Sequence, residues 1–441
     1  MNQFILLTVF LTLFLKNVAS IDCFWSTECK YKYFSSKTSY ENIRGDIRDS
    51  FVKPEGCEPI NVWTIMRHGK KYPGSTFLQH IKDVLYLKDY IISNYDNGNS
   101  SLCAQDVDSF REWTIEEKFI NEPNTVTNEG YQEMLRFGSR LKEVLPEIFN
   151  DLKEEEYSFR PTYGSRGEVS AEALIKGLGY KDLFIEKAET NVSTGNPFGR
   201  CKAYLKEVYT NGDTYKMSLQ YMETPEYVNM KNRIEKRLGL NFTLTNRNII
   251  AIYDLCRYIS DGINNTFSPW CAVFTEEDLK IIEYVGDLEH YYRSGYGASK
   301  FTRIFGQTTL ADLFNNFEQA KNNQSKKFII YITKSSMMEM ALVALNLAKD
   351  ESPLTGAHRD LNRKWRSTFS STFGVNLIAV LNRCRKPNEE LYEYKISFYR
   401  NESPFLELCN RGVCSWQEFE DIFKPFLKTN LTETCENDQN V

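Results

Sequence analysis

The sequence predicts an α/β fold, with a sheet covered on both faces by helices and a mostly helical insertion. Four short segments are almost continuously apolar and rich in β-branched residues, as is typical of strands buried on both faces. They are residues 60–66, 328–333, 375–381 and 394–399. Residues 170–300 show helical rather than strand periodicity. We therefore predict an α/β domain made of 21–169 and 301–441, and a mostly helical insertion or cap domain at 170–300.

Two long segments are predicted to form amphipathic helices. Apolar side chains recur at helical spacing in residues 130–149, and Thr127 or Asn128 stands where an N-cap is expected. Residues 276–293 carry a second apolar stripe along one face. Both helices are long enough to cover a sheet or to pack against other helices.

Composition excludes several classes of protein. The chain has 441 residues, of which 41% are hydrophobic and 14% aromatic, so it is not disordered or of low complexity. The 54 Lys and Arg against 59 Asp and Glu give a net charge of -5, which suggests no nucleic-acid or membrane-surface partner. No apolar run after residue 20 is long enough for a membrane span. The oligomeric state stays open.

The first twenty residues have the layout of a secretory signal peptide. A polar start is followed by an apolar stretch, 4–15, and by small residues that place the cut between Ser20 and Ile21. The chain ends without an endoplasmic-reticulum retrieval tetrapeptide, so we expect a glycoprotein that is secreted or delivered to a later compartment. Seven N-glycosylation sequons agree with that expectation, at Asn99, Asn191, Asn241, Asn264, Asn323, Asn401 and Asn430.

Cysteine usage also indicates an oxidising compartment. All 11 cysteines lie beyond residue 20, and most should be paired, although an odd number leaves at least one free or intermolecular. The plausible local pairs are Cys256–Cys271 and Cys409–Cys414. No CxxC spacing is present, so we expect no zinc site. The remaining connectivity is left open.

The segment most informative about function is RHGKKYP at residues 67–73, directly after the first predicted strand. Strand ends in an open α/β sheet are where ligand crevices form. An imidazole there can attack phosphorus when neighbouring cations hold the phosphate, giving a phosphohistidine that water hydrolyses. The alternative is a basic surface turn that contains a histidine by chance.

RHGKKYP resembles the RHGxRxP signature of histidine acid phosphatases, and the wider chain resembles their multiple inositol polyphosphate phosphatase branch, a phytase-like group. The resemblance extends over nearly all of the chain after residue 20. It includes residues 37–41, the signature, the helix from Asn128, residues 268–271, 287–292 and 295–297, and the closing strands to Tyr399. It implies phosphomonoester hydrolysis of inositol polyphosphates such as phytate, with no metal and no organic cofactor.

The same resemblance implies the site residues. His68 matches the phosphate-attacking nucleophile, Arg67 the first phosphate clamp, and Arg166 the arginine that binds the same phosphate from the next βα loop. Lys71 takes the place of the second signature arginine, which keeps the charge but loses the planar fork. Lys334 stands where the family has a phosphate-binding histidine and is expected to be a further phosphate ligand.

The second half of the family motif departs from the pattern. A His-Ala-Glu triplet follows a late strand in this branch and supplies the acid that protonates the leaving oxygen, whereas this chain has Lys334-Ser335-Ser336. Glu339, one helical turn further on, is interpreted as either a substitute acid or an ordinary helix-surface glutamate, and the second is favoured. His290 is expected to be packed or solvated within its helix.

Two hypotheses for function follow. The first is a phosphatase of inositol polyphosphates working through His68, with activity that is weak or lost because the acid motif is degenerate. The second is an inactive secreted protein that sequesters a phosphorylated or other small ligand in the same pocket. Both give the protein a small anionic partner.

Overall fold

A computed structural model describes Cys23 and residues 33–188, 194–385 and 392–436. The strands form one mixed sheet of order β2-β3-β1-β4-β5-β6, with β7 paired to β5. They are β1 Cys57–Arg67, β2 Tyr157–Pro161, β3 Phe328–Thr333, β4 Asn376–Arg385, β5 Tyr392–Arg400, β6 Ser403–Pro404 and β7 Val413–Ser415. The α/β fold class is therefore confirmed, and each of the four predicted strands forms part of the sheet.

Eleven helices of eight residues or more lie within the described residues. They are α1 Ser75–Lys82, α2 Leu87–Asp96, α3 Ala104–Glu112, α4 Asn128–Val144, α5 Ser165–Gly177, α6 Pro225–Arg237, α7 Asn246–Ile259, α8 Glu276–Ser294, α9 Ser299–Lys321, α10 Ser335–Ala344 and α11 Trp416–Phe423. None of them combines the length and the apolar character needed to cross a membrane.

Shorter turns connect these elements. The short α-helices are Ile47–Ser50, Glu117–Asn121, Pro146–Phe149, Lys202–Tyr204, Lys216–Tyr221, Ser367–Ser370 and Leu431–Glu436. The 3-10 turns are Ser35–Lys37, Tyr40–Asn42, Glu154–Glu156, Gly212–Tyr215, Pro269–Val273, Tyr296–Ala298, Asn410–Gly412 and Lys424–Lys428. A single π-helical turn, Leu205–Tyr209, follows the helix Lys202–Tyr204.

Both faces of the sheet are buried under helices. In β1, Val62 and Met66 face a core that includes residues of α4 and α5. Trp63 and Ile65, which point to the opposite face, pack in a second core with residues of α9, α10 and α11. This double burial is the reason that the strand sequences are almost continuously apolar instead of alternating.

Among the described residues, a third core contains no strand residue. It joins residues of α1–α3 to residues of α6–α8. Between Pro161 and Phe328 the described residues form helices and no strand. The division into an α/β domain and an insertion at 170–300 stays a prediction. Helices α1–α3, which precede residue 170, pack in the same core as α6–α8.

The predicted N-cap of the helix over residues 130–149 is confirmed, whereas its predicted end is wrong. Thr127 caps α4 by accepting a hydrogen bond from the Gly130 amide, so the helix begins at Asn128. It ends at Val144, and a separate turn begins at Pro146. The reason is that a residue before proline is disfavoured in the helical region, and Leu145 accordingly adopts φ -129° and ψ 51°.

Five disulfides connect the described cysteines. The two local pairs predicted from spacing, Cys256–Cys271 and Cys409–Cys414, are both confirmed. The long-range pairs are Cys23–Cys103, Cys57–Cys384 and Cys201–Cys435. Cys29 and the predicted signal peptide at 1–20 lie outside the described residues.

Candidate active site

The carboxyl ends of three parallel strands bring the predicted residues to one edge of the sheet. Arg67 at the end of β1 is paired in register with Thr333 at the end of β3, and β2 runs parallel to β3 on its other side. The backbone amide of His68 donates to the Thr333 carbonyl over 3.1 Å. The residues that follow these strands are therefore neighbours, although about 265 positions separate His68 from Lys334.

A cavity of about 390 Å³ opens at this edge. Its wall contains all five residues proposed from the sequence, namely Arg67, His68, Lys71, Arg166 and Lys334. Ser335 and Ser336 line the same cavity. The roles of these side chains stay predictions.

The glycine of the RHG triplet lets the loop approach α4. A Cβ on Gly69 would lie 2.3 Å from the Gly130 carbonyl oxygen, and one on Gly130 would lie 2.1 Å from the Lys70 carbonyl oxygen. Such distances exclude any side chain at either position without backbone movement. The two backbones are in direct contact, and this contact holds the signature loop against the start of α4.

His68 is held in one tautomer. Its side chain is 4% exposed, and Nδ1 lies 2.9 Å from the Gly69 carbonyl oxygen. A carbonyl only accepts, so the proton is on Nδ1 and the lone pair is on Nε2. Burial and the charges of Arg67 and Arg166 hold the pKa of the His68 imidazole well below its ordinary value. The neutral, nucleophilic form therefore persists into mildly acidic solution.

Arg67 is fixed by backbone oxygens and an aromatic face. Nη1 donates to the carbonyls of Ser36 and Ser371 over 2.5 and 2.6 Å. Its Cζ lies 4.0 Å from the ring centroid of Phe373. Nε is buried and has no hydrogen-bond partner among the described residues. Burial lowers the pKa of Arg67 to about 9, so it stays charged at neutral pH.

Three more cations face the same space. Burial lowers the pKa of both Arg166 and Lys334, and in Lys334 the charge of Arg166 adds to the effect. Arg293, near the end of α8, also lines the cavity, and its Nε has no described hydrogen-bond partner. Sequence reasoning missed Arg293 because a single arginine near a helix end is ordinarily a solvated or dipole-stabilising residue.

Lys71 is held by a short pairing of backbone segments. It forms an isolated antiparallel bridge with Val126, and the Tyr72 amide donates to Thr125 O over 2.9 Å. Its Nζ donates to Asn124 Oδ1 over 2.9 Å and to the Tyr72 carbonyl over 3.1 Å. Burial first, then the charges of Arg166 and Arg67, lower the pKa of Lys71 to about 7.

One wall of the cavity comes from the segment before α6. It is formed by Phe198, Gly199, Leu205 and Tyr209, the last two at the ends of the π-helical turn. Tyr209 is 50% exposed. Sequence analysis proposed none of these residues, because no local signal relates them to the histidine loop.

None of the described residues lining the cavity is Asp or Glu. Glu339 is fully buried in α10, so its interpretation as a helix-surface residue is wrong. Its Oε1 lies 2.8 Å from His290 Nδ1, and Ser294 Oγ donates to its Oε2. His290 is 6% exposed, so of the two alternatives predicted from the sequence, packed or solvated, the packed one is correct. Glu339 is therefore committed to a buried network beside the cavity wall.

The chain is similar to known phosphatases over most of its length. It is 26% identical over 419 residues to multiple inositol polyphosphate phosphatase 1 of Drosophila melanogaster, covering 91% of this chain and 87% of that protein. The human protein of the same name is 24% identical over 434 residues, with coverages of 92% and 88%.

Solved structures show the same fold at lower identity. A phytase from D. castellii superposes with a TM-score of 0.71 at 16% identity, over 92% of this chain and 88% of that one. A multiple inositol polyphosphate phosphatase of Bifidobacterium longum, in complex with inositol hexasulfate, gives a TM-score of 0.62 at 14% identity, over 84% and 92%. Residues 60–392 match the sequence family described as histidine phosphatase superfamily (branch 2), and this chain belongs to that family.

Proposed function

We propose that the protein hydrolyses phosphomonoesters of the inositol polyphosphate class through a phosphohistidine formed at His68. The observation that carries the proposal is the His68 imidazole, with Nδ1 bound to the Gly69 carbonyl and Nε2 left with its lone pair, in the wall of a cationic cavity. Nε2 attacks phosphorus, the ester P–O bond breaks, and water then displaces the phosphate from the imidazole.

The cations of the cavity account for binding and for part of the rate. Arg67, Arg166, Lys334 and Arg293 surround a space whose described lining contains no acidic side chain. A phosphate dianion is attracted there, and its charge is stabilised further as the transition state forms. The relatives that bear the name of inositol polyphosphate phosphatases support the substrate class.

Turnover of inositol phosphates should be slower than in relatives that carry the His-Ala-Glu triplet. An alkoxide leaving group requires a proton, and general acid catalysis contributes about 10²–10⁴ in rate. Lys334, Ser335 and Ser336 line the cavity and bring no carboxylic acid to it. The rate of hydrolysis of an aryl phosphate should be reduced much less, because its leaving oxygen is far less basic.

The same observation favours a second candidate, a protein that binds a phosphorylated ligand without turning it over. A cavity rich in cations and without a described carboxyl group retains anions whether or not the ester bond is cleaved. The two candidates differ in whether His68 forms a covalent bond to phosphorus.

Phosphate release from phytate and from p-nitrophenyl phosphate separates the two candidates. Wild type and His68→Ala would be compared, with His358→Ala as the control because His358 is an exposed histidine. If His68→Ala loses phosphate release while wild type and His358→Ala keep it, hydrolysis through His68 is supported. If all three proteins release phosphate at the same background rate from both substrates, hydrolysis is refuted. Calorimetric titration with phytate then tests binding. No detectable heat at low salt would remove the second candidate.

We also propose that the protein is secreted and glycosylated. The sequon asparagines Asn99, Asn241, Asn264, Asn323 and Asn430 are exposed. Asn401 is 8% exposed and its Oδ1 accepts from the Asn376 amide, so it should stay unmodified. Enzymatic removal of N-glycans from protein expressed in a secretory host should increase its electrophoretic mobility, and an unchanged mobility would contradict glycosylation.

A further inference from the structure

We propose that Lys71 is the proton donor to the leaving oxygen, replacing the acid that is absent at positions 334–336. The inference rests on the proposed hydrolysis through His68 and names the residue that completes it. It makes Lys71 a catalytic residue and not only a phosphate ligand.

The geometry leaves Lys71 one proton to give. An ammonium group has three N–H bonds, and Nζ of Lys71 directs two of them to Asn124 Oδ1 and the Tyr72 carbonyl. No acceptor among the described residues takes the third, which can reach a ligand in the cavity that Lys71 shares with His68. The backbone bridge to Val126 keeps the lysine stem in place, so the donor does not depend on a mobile loop.

The residue type matters because lysine can lose its proton and arginine cannot. The family signature has arginine at the position of Lys71, and a guanidinium stays protonated throughout the range in which proteins are stable. A lysine keeps the cation for binding and adds a transferable proton. This exchange occurs in the same chain that has Ser336 in place of the family's carboxylic acid.

The surroundings favour proton release near neutrality. Burial, Arg166 and Arg67 disfavour the ammonium form, and Asp254 opposes them. Lys37, from the turn facing the loop, is a further positive charge that interacts with Lys71. The resulting pKa of about 7 is lower than that of an ordinary lysine by enough to make it a usable general acid.

The proposed reaction has two steps, formation of the phosphohistidine and its hydrolysis. The Nε2 lone pair of His68 forms the bond to phosphorus, the P–O ester bond breaks, and its electron pair stays on the leaving oxygen. That oxygen takes a proton from the Lys71 ammonium, so an alcohol departs and Lys71 is left as a neutral amine. The amine then takes a proton from water, the hydroxide attacks phosphorus, and the P–N bond pair returns to Nε2, which releases phosphate and restores the ammonium.

The test compares an alkyl ester, 2-glycerol phosphate, with p-nitrophenyl phosphate between about pH 5 and pH 9. The measured quantity is kcat/KM for the alkyl ester divided by kcat/KM for the aryl ester. Effects on phosphate binding that are common to both substrates cancel in this ratio. Wild type, Lys71→Arg and Lys334→Arg are assayed. The last variant makes the same exchange at the other lysine of the cavity and serves as the matched control.

In wild type the ratio should fall as pH rises through about 7, because the ammonium is lost there. Lys71→Arg should lower the alkyl rate by about 10² or more and the aryl rate much less, and its ratio should no longer depend on pH in this range. In Lys334→Arg the ratio should keep the wild-type pH dependence, whatever happens to the individual rates.

Four results would overturn the inference. A Lys71→Arg protein whose ratio and pH dependence match wild type has another donor. Equal losses on both esters would make Lys71 a phosphate ligand only. If wild type cleaves the aryl ester in a His68-dependent way and the alkyl ester not at all, no donor operates, and the proposed function stands without this residue; absence of any His68-dependent cleavage removes both.

Discussion

Glu339→Gln separates a structural from a catalytic role for the buried carboxylate of α10. Glu339 is 0% exposed. It accepts from Ser294 Oγ, and a hydrogen bond from Ser371 also lowers its pKa. Burial disfavours the charged form, but His290 and the two serines outweigh it, so the net pKa of Glu339 is lowered. Burial, in turn, lowers the pKa of His290. The pair is thus an ionised carboxylate beside a neutral imidazole, with 2.8 Å between Glu339 Oε1 and His290 Nδ1.

The cost of the substitution follows from these contacts. A hydrogen bond to a charged group contributes about 1.5–3 kcal/mol, and a buried donor left without an acceptor costs about 1–3 kcal/mol. Glutamine keeps the volume but loses the charge, and its amide turns a donor toward one of the existing donors. We expect a loss of about 3–5 kcal/mol in the free energy of unfolding at neutral pH.

The loss should depend on pH in a defined direction. The folded pKa of Glu339 lies below its unfolded value, so its contribution is complete above about 4.5 and disappears as pH falls through the folded pKa. Urea unfolding of wild type and Glu339→Gln should therefore converge in acid. Glu172→Gln, at an exposed position of α5, is the matched control and should stay within about 0.5 kcal/mol of wild type.

Two results would refute this reasoning. A variant as stable as wild type would mean that the carboxylate network contributes nothing. A variant of unchanged stability that loses alkyl phosphatase activity would make Glu339 the acid and would also remove the case for Lys71.

Three further predictions test the site and its supports. Arg293→Gln should raise the Kd for inorganic phosphate about tenfold in calorimetry, since a charge-assisted contact is lost, and an unchanged Kd would exclude it from binding. Lys70→Met should cost about 3–5 kcal/mol in urea unfolding by leaving Glu129 buried and unpaired; recovery is expected with Glu129→Leu added, and a neutral single variant would contradict the pairing. Replacing Cys256 and Cys271 by serine should cost about 3 kcal/mol, because their loop spans 15 residues, and the measurement is again urea unfolding, where an unchanged midpoint would contradict the estimate.

The sequence alone was sufficient where short-range pattern decides the outcome. The apolar runs predicted β1 and β3–β5, because strands that are buried on both faces are apolar at nearly every position and are therefore recognisable in the sequence. Helix α8 was predicted as 276–293 and ends one residue later, because a long stripe at helical spacing leaves no competing structure. The end of α4 was missed because one proline overrides an apolar pattern that continues past it.

Glu339 and Arg293 show where local pattern gives no answer. Glutamate in a helix is usually exposed, and only the packing of α8 against α10 buries Glu339 beside His290. Arg293 has no neighbouring motif and belongs to the cavity only because α8 ends there. Whether a charged side chain can be buried depends on partners that are distant in the chain, and a local pattern does not reveal those partners.

By itself, then, the sequence determined the sheet strands, the histidine loop and the kinds of charged side chain available for phosphate chemistry. The tertiary structure decided which of them share a cavity, which carboxylate is kept out of it, and how far each pKa moves. The physical reason is that helix and strand periodicity is set by neighbouring residues, whereas the distance between His68 and Lys334 is set by the parallel pairing of β1 with β3.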